Sequence, residues 1–389
     1  MKHVLTTAML MGIVLPTANA QSTYIRVSSG QLPIILSAPH GGYLAPGSMK
    51  DRSCAGCTLI PDDFTLELTE ELSRALFDAT GKRPYSVINL LDRIKLDANR
   101  DIGEAADGDP TAEAAWLAYH DALTVARSQV NAQFGKGLVL DIHGHGHAIQ
   151  RLELGYLPDE EELRVSDVEL NASRGARNTF NSLVANNPNG YSFAELIRGP
   201  KSLGQLFVDR GYPAVPSQNT PFPLVGEPYF AGGYITQRHG SRNGGTIDAV
   251  QIEANRHGVR HTAEQRRAFA DSTAKVLIDF FAHHYGIDLK SVSTSAERID
   301  GPGSTRLLQN YPNPFNPSTV IRFELAVFSD AKLTIHDVLG REIAVLLDAP
   351  MSAGPHHIVF DASRLASGIY LYRLQTPSGS LSGKMHLVK

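Results

Sequence analysis

The segment Gly137-Leu138-Val139-Leu140-Asp141-Ile142-His143-Gly144-His145-Gly146-His147-Ala148-Ile149-Gln150 decides how the rest of the chain is read. An apolar, β-branched run, Leu138 to Leu140, ends abruptly in Asp141, His143, His145 and His147 interleaved with glycines. That is the pattern of a buried strand running into a polar mouth. In open α/β sheets ligands bind at such carboxyl ends of strands. Glycines at 144 and 146 let the backbone approach a ligand closely, imidazole is the commonest metal-binding side chain, and a carboxylate two residues away can orient it. The competing reading is a His-rich surface loop.

Two further strands end in the same way. Leu32 to Ser37 runs into Ala38-Pro39-His40-Gly41-Gly42, and Thr246 to Ile252 runs into Glu253-Ala254-Asn255-Arg256. Between them, Pro61-Asp62-Asp63 precedes an amphipathic helix carrying Leu66, Leu68, Leu72, Ala75 and Leu76, and either aspartate suits its N-cap. Ser86 to Leu91 is a strand, followed by Arg93, Lys95, Asp97, Asn99 and Arg100, which read either as an anion clamp or as a solvated charge run. Glu113 to Phe134 has helical periodicity and delivers the chain to the Asp141 strand. The order β, α, β, α, β predicts an α/β domain with a largely parallel sheet. Further helices are expected over 159–163, 172–185 and 202–210, an ordered Pro-rich loop over 213–228, and a closing helix over 262–285.

The chain has 389 residues, 42% of them hydrophobic and 20% charged, enough for two or three domains with real cores. A formal net charge of −4 and the lack of any Lys/Arg-rich run argue against a nucleic-acid partner. Residues 1–20 have the form of a secretory signal: Lys2 and His3, an apolar run through Leu15, then Ala18-Asn19-Ala20 before a cut at Gln21. No later stretch reaches the roughly 18 apolar residues of a spanning helix, so no transmembrane segment is expected. Cys54 and Cys57, the only cysteines, are better placed for a small-loop disulfide than for half of a zinc site. Residues 287–305 shift to Ser, Thr, Gly and charge and read as a linker. Beyond it, short alternating runs at 320–325, 331–338, 342–347, 356–360, 368–374 and 384–388 predict a small β-sandwich over 306–389.

The C-terminal part resembles the type A sorting domain of the type IX secretion system, an Ig-like sandwich. The matching pieces are Gln309-Asn310-Tyr311-Pro312-Asn313-Pro314-Phe315-Asn316-Pro317, Asp337-Val338-Leu339-Gly340-Arg341-Glu342, Ser367-Gly368-Ile369-Tyr370 and Lys384-Met385 with a terminal lysine. The resemblance implies engagement of that secretion machinery and delivery to the cell surface or the medium.

Residues 24–286 resemble the N-formylglutamate amidohydrolase family. The likeness rests on Pro39-His40, Asp62, Arg93 through Asp97-Ala98-Asn99-Arg100, Asp141-Ile142-His143, Gly232-Gly233-Tyr234-Ile235-Thr236 and Gln251-Ile252-Glu253. It departs from that family at Gly41 and Gly144, where serine is usual. The resemblance implies a zinc-carboxypeptidase-like mixed sheet flanked by helices. It also implies one zinc ion held by His40, Asp62 (with Asp63 as the alternative) and His143, and Glu253 as general base and acid. Asn99 and Arg100 would bind a substrate carboxylate, and Arg93, Tyr234 and His239 join them as candidate substrate contacts. Asp141 would fix an imidazole tautomer. Two imidazoles and one carboxylate leave a fourth zinc position open, as catalytic sites require. The expected activity is hydrolysis of the amide of an N-acyl amino acid or small peptide. A secreted carboxypeptidase or peptidoglycan amidase is the alternative on the same scaffold, and a non-catalytic surface-binding module is the alternative of another class.

Overall fold

The computed structural model describes residues 23–53, 56–172, 178–292, 305–325, 329–351, 354–363, 365–377 and 379–389. The expected signal (1–20), Cys54 and most of the expected linker lie outside them; Cys57 is disulfide-bonded. The chain forms two compact units that divide after Val292.

In chain order the first unit contains β1 (Ile25–Ser28), β2 (Ile34–Ala38), α1 (Thr65–Thr80), β3 (Tyr85–Asn89), α2 (Ile102–Ala106), α3 (Pro110–Phe134), β4 (Gly137–His145) and β5 (Leu152–Gly155). It continues with α4 (Glu160–Arg164), α5 (Asp167–Ala172), α6 (Asn181–Asn186), α7 (Phe193–Arg198), α8 (Leu203–Val208), β6 (Ala214–Val215), α9 (Tyr234–His239), β7 (Ile247–Asn255) and α10 (Ala263–Phe280). The seven strands form one mixed sheet in the order β1-β3-β2-β4-β7-β5-β6. Its centre, β3-β2-β4-β7, is parallel, while β1 runs antiparallel to β3 and β5 antiparallel to β7. Both faces are covered. Leu140, Ile142 and Ile252 pack with Leu68, Leu72, Leu277 and Phe280, and on the opposite face Val139 and Ala249 pack with Trp116, Tyr119 and Leu123.

Local chemistry explains the best-defined element boundaries. Pro110 opens α3, the Asp109 side chain accepts from the amides of Thr111 and Ala112, and Gly135 ends the helix at φ 70°. Neither Asp62 nor Asp63 caps α1, contrary to the N-cap reading. The residue before that helix is Phe64, held at φ 65° with no side-chain cap, and both carboxylates are turned elsewhere.

Other expectations are corrected. The short strands β5 and β6 were not foreseen, because segments of four and two residues are too short to show a period. The helix expected over 172–185 is not continuous: α5 ends at Ala172 and α6 begins at Asn181. The first unit extends beyond residue 286, since Leu289 is fully buried in its main core with Ile287 and Val292 packed alongside.

The second unit has a four-stranded and a three-stranded antiparallel sheet around one core. Its strands are β8 (Arg306–Leu307), β9 (Ser318–Leu325), β10 (Ser329–His336), β11 (Glu342–Met351), β12 (Gly354–Asp361), β13 (Gly368–Thr376) and β14 (Gly379–Leu387). The sheet orders are β11-β10-β13-β14 and β12-β9-β8, with Phe323, Leu325, Leu333, Ile335, Tyr372 and Met385 buried between them. Gly383 is paired with Tyr372, and a Cβ there would lie 2.1 Å from the tyrosine ring, so the glycine makes room for the aromatic.

One buried carboxylate gives the first unit a testable pH response. Asp248 on β7 accepts from Ser241 Oγ (2.6 Å), Tyr285 OH (3.0 Å) and the Leu183 amide (3.3 Å), yet burial pushes its pKa up to about 7. A folded-state pKa above the unfolded value of about 3.9 means that the native state holds the proton more tightly. The stability this confers is complete below the unfolded pKa and is lost as pH rises through the folded one. Thermal melts should therefore show the wild type losing ground to Asp248→Asn between about pH 4 and about pH 7, and an offset constant across that range would refute the assignment.

Candidate metal centre

The register of three neighbouring strands builds the site. His143 on β4 is paired with Glu253 on β7, and Glu253 is paired across its other edge with Glu153 on β5. Directly paired residues project from the same face. A carboxylate row thus runs beside the imidazole. One step back, Ser37, Asp141 and Gln251 form a second row on that face. His40 follows β2, and Asp62 reaches in from the loop before α1.

Asp62 is where these elements meet. Its Oδ2 lies 3.2 Å from His40 Nδ1, 3.2 Å from His143 Nδ1, and accepts from the Gly144 amide at 3.2 Å. Its Oδ1 accepts from Arg93 Nη1 at 3.1 Å. Each imidazole is held from behind by another buried carboxylate: His40 Nε2 donates to Asp97 Oδ1 at 2.6 Å, and His143 Nε2 donates to Asp141 Oδ2 at 2.9 Å. Those bonds fix the tautomers. With the Nε2 hydrogens so committed, each Nδ1 faces the Asp62 carboxylate oxygen, a contact that either a proton on Nδ1 or a bound cation satisfies.

The supporting shell is continuous. Tyr119 OH and Ser37 Oγ are 2.7 Å apart, and Ser37 Oγ donates to Asp141 Oδ1 at 2.7 Å, so a chain of hydrogen bonds runs from α3 to His143. Arg93 also donates to Asp97 Oδ2 at 3.0 Å and so braces two of the carboxylates. Arg260 closes the other side, donating to the carbonyls of Asp63, His145 and Ala254. Its Nε occupies the space beside Gly144, where a Cβ would sit 2.4 Å away.

The electrostatics follow from this packing. Burial opposes the Asp62 charge, but His40 and His143 overcome it and hold its pKa well below the ordinary carboxylate range. Burial likewise opposes the His143 charge, and Asp141, with help from Asp62 and Glu253, raises its pKa well above the usual value. Glu253, with Oε1 4.0 Å from His143 Nδ1 and 2.9 Å from its donor Gln251 Nε2, is pushed up to about 8 by burial. It is a carboxyl suited to holding a proton near neutral pH.

Of the sequence-derived candidates, His40, Asp62, His143, Asp141 and Glu253 come together. Asp63 does not: its carboxylate faces Arg256 Nη1 at 3.2 Å and Tyr43, so Asp62 is the carboxylate of the cluster. Arg93 is spent on Asp62 and Asp97 and is not free for a substrate. Asn99 lies beside His143, 3.4 Å from Nε2, while its Oδ1 accepts from the Ile235 amide at the start of α9. Arg100 is turned to Glu104 (3.0 Å) and to the Asn99 carbonyl. Tyr234 packs near Trp116 and accepts from Arg238 with its hydroxyl. His239 is buried and stacked on His120, its Nε2 2.9 Å from His120 Nδ1, and is not open to a substrate. Asp97 was not singled out as a site residue, although its place four residues after Arg93 was the available signal.

Residues 309–388 match the family described as the secretion system C-terminal sorting domain, so the chain is routed by type IX secretion to the cell surface or the extracellular space. No curated protein matches the chain. Among solved structures it is similar to PorZ, an essential bacterial surface component of the type IX secretion system of Porphyromonas gingivalis. That likeness has 22% identity and a TM-score of 0.16, and covers 25% of this chain and only 13% of that one. The Ig1 domain of mouse SynCAM 2 is similar at 10% identity over 22% of this chain and 93% of that one, TM-score 0.16. An endo-β-1,4-mannanase from Thermotoga petrophila is similar at 8% identity over 70% and 43%, TM-score 0.17. Among the described residues no helix is long and apolar enough to cross a membrane.

Because Leu289 belongs to the first core, a chain stopped after Val292 keeps that core whole, whereas one stopped after Tyr285 loses part of it. The longer truncate should melt cooperatively but remain unexported, and the shorter should melt lower. Normal amounts of the longer truncate at the cell surface would overturn the sorting role.

Proposed function

We propose that the first unit is a zinc-dependent amidohydrolase of the N-formylglutamate amidohydrolase type, on a zinc-carboxypeptidase-like scaffold, cleaving the amide of an N-acyl amino acid or small peptide outside the cell. The observation that carries the reading is the convergence of two Nδ1 atoms on Asp62 Oδ2, each 3.2 Å from it, with both rings anchored at Nε2 by Asp97 and Asp141. Ligand atoms at about 2.0 to 2.1 Å from a tetrahedral zinc lie roughly 3.3 Å apart, and the donor set of two imidazoles and a carboxylate is one that zinc uses. Anchoring of ligand imidazoles by carboxylates is the usual outer arrangement of such centres.

His40, Asp62 and His143 would hold the ion, which when bound supplies Lewis acidity toward the scissile carbonyl and lowers the pKa of water. Glu253 takes the proton of the attacking water and passes it to the departing nitrogen, and Gln251 aims its carboxylate. Asp141 and Asp97 keep the imidazoles from turning. Arg100 is part-exposed and would leave Glu104 to meet a substrate carboxylate. Delivery outside the cell favours peptides or cell-wall amides as the available substrates, so a carboxypeptidase or peptidoglycan amidase is the second reading.

His143→Ala should lose zinc from this centre. Glu253→Gln should keep it, while kcat on whichever N-acyl amino acid or short peptide the wild type cleaves falls by about 10²-fold to 10⁴-fold with KM little changed. Full turnover by Glu253→Gln would sink the mechanism.

A further inference from the structure

Beyond Glu253, on the side away from His40, lies a second group of metal-type donors: His145, His147 and Glu153, whose ligand atoms all fall within 4.8 Å of one another. The geometry points to a second divalent-cation site here, separate from the His40–Asp62–His143 centre and of the same zinc-binding donor class.

Three observations support it. Glu153 is fully buried, and among the described residues no Lys or Arg pairs with it. Its Oε2 accepts from the Phe230 amide at 2.8 Å, and its Oε1 lies 2.8 Å from His147 Nδ1. One amide and one imidazole are few partners for a fully buried carboxylate that has lost its hydration, and a cation would add the missing contact. Secondly, His145 Nε2 donates to the Arg151 carbonyl at 2.8 Å, which fixes the tautomer that leaves Nδ1 as a lone pair. That is the arrangement found behind His40 and His143, with a carbonyl in place of a carboxylate. Thirdly, Phe230 stacks on His147 with centroids 4.9 Å apart and planes 18° apart, and so covers one face of that ring.

An ion would replace two internal hydrogen bonds. His145 Nδ1 now accepts from the His147 amide at 3.1 Å, and the contact between His147 and Glu153 is shorter than the roughly 3.3 Å between two ligands of one tetrahedral ion. A small opening at 146 and 147 is therefore required. Gly146, with open space where a Cβ would stand, permits it. Glu253, paired in register with both His143 and Glu153, would stand between the two ions.

The test is metal stoichiometry on the full mature chain, stripped with chelator, dialysed against micromolar zinc and analysed for metal, with a thermal melt of each variant as the folding check. The wild type should take up about two equivalents. Glu153→Gln and, at the part-exposed ring, His147→Ala should each retain about one, and His143→Ala should retain the other. If the first centre binds no zinc, the wild type takes one equivalent that His143→Ala keeps and His147→Ala loses; that result sinks the amidohydrolase reading and supports this one. A folded His147→Ala that binds as much zinc as the wild type, at one equivalent or at two, overturns the second site.

Discussion

A charge buried at the end of a sheet must be neutralised by something, and the first unit is arranged around that requirement at Asp62. The residue sits in a loop, but it is held by the Gly144 amide of β4, by Arg93 after β3 and by imidazoles following β2 and within β4. Three segments distant in sequence are thus tied to its loop by one carboxylate. Removing any one of its partners would leave the rest carrying uncompensated charge, at several kcal/mol for a broken buried pair. This explains why helix capping was surrendered at α1. An aspartate committed to the cluster cannot serve the helix amides, and Phe64 takes a left-handed conformation to make the turn instead.

The parallel centre of the sheet was legible because its strands are apolar runs that stop at ionisable residues, and burial on both faces leaves no other composition. The same signal located His40, Asp141, His143 and Glu253. It failed where information lies in three dimensions only. Nothing local distinguishes Asp62 from Asp63; the choice is made by which carboxylate faces β4, and that depends on the turn at Phe64. Arg93 and Arg100 share one motif and separate only in the fold, where the first is absorbed between two aspartates and the second stays near the surface. His239, a candidate substrate contact by the resemblance alone, closes α9 against His120. β5 carries Glu153 and so widens the polar face, but four residues give too little pattern to announce a strand. In the C-terminal unit, alternation with one face buried made β9 to β14 readable, while the two-residue β8 was too short to show a period.

The contact between Gly144 and Arg260 has an evolutionary reading. Gly144 is not forced by its own backbone, since its φ lies outside the left-handed region; the neighbouring guanidinium has taken the volume a side chain would need. Arg260 in turn is kept by three carbonyls, from the loop before α1, from β4 and from β7. In evolution the two positions therefore constrain each other: a side chain at 144 would need the Arg260 guanidinium to shift and to release carbonyls it now holds.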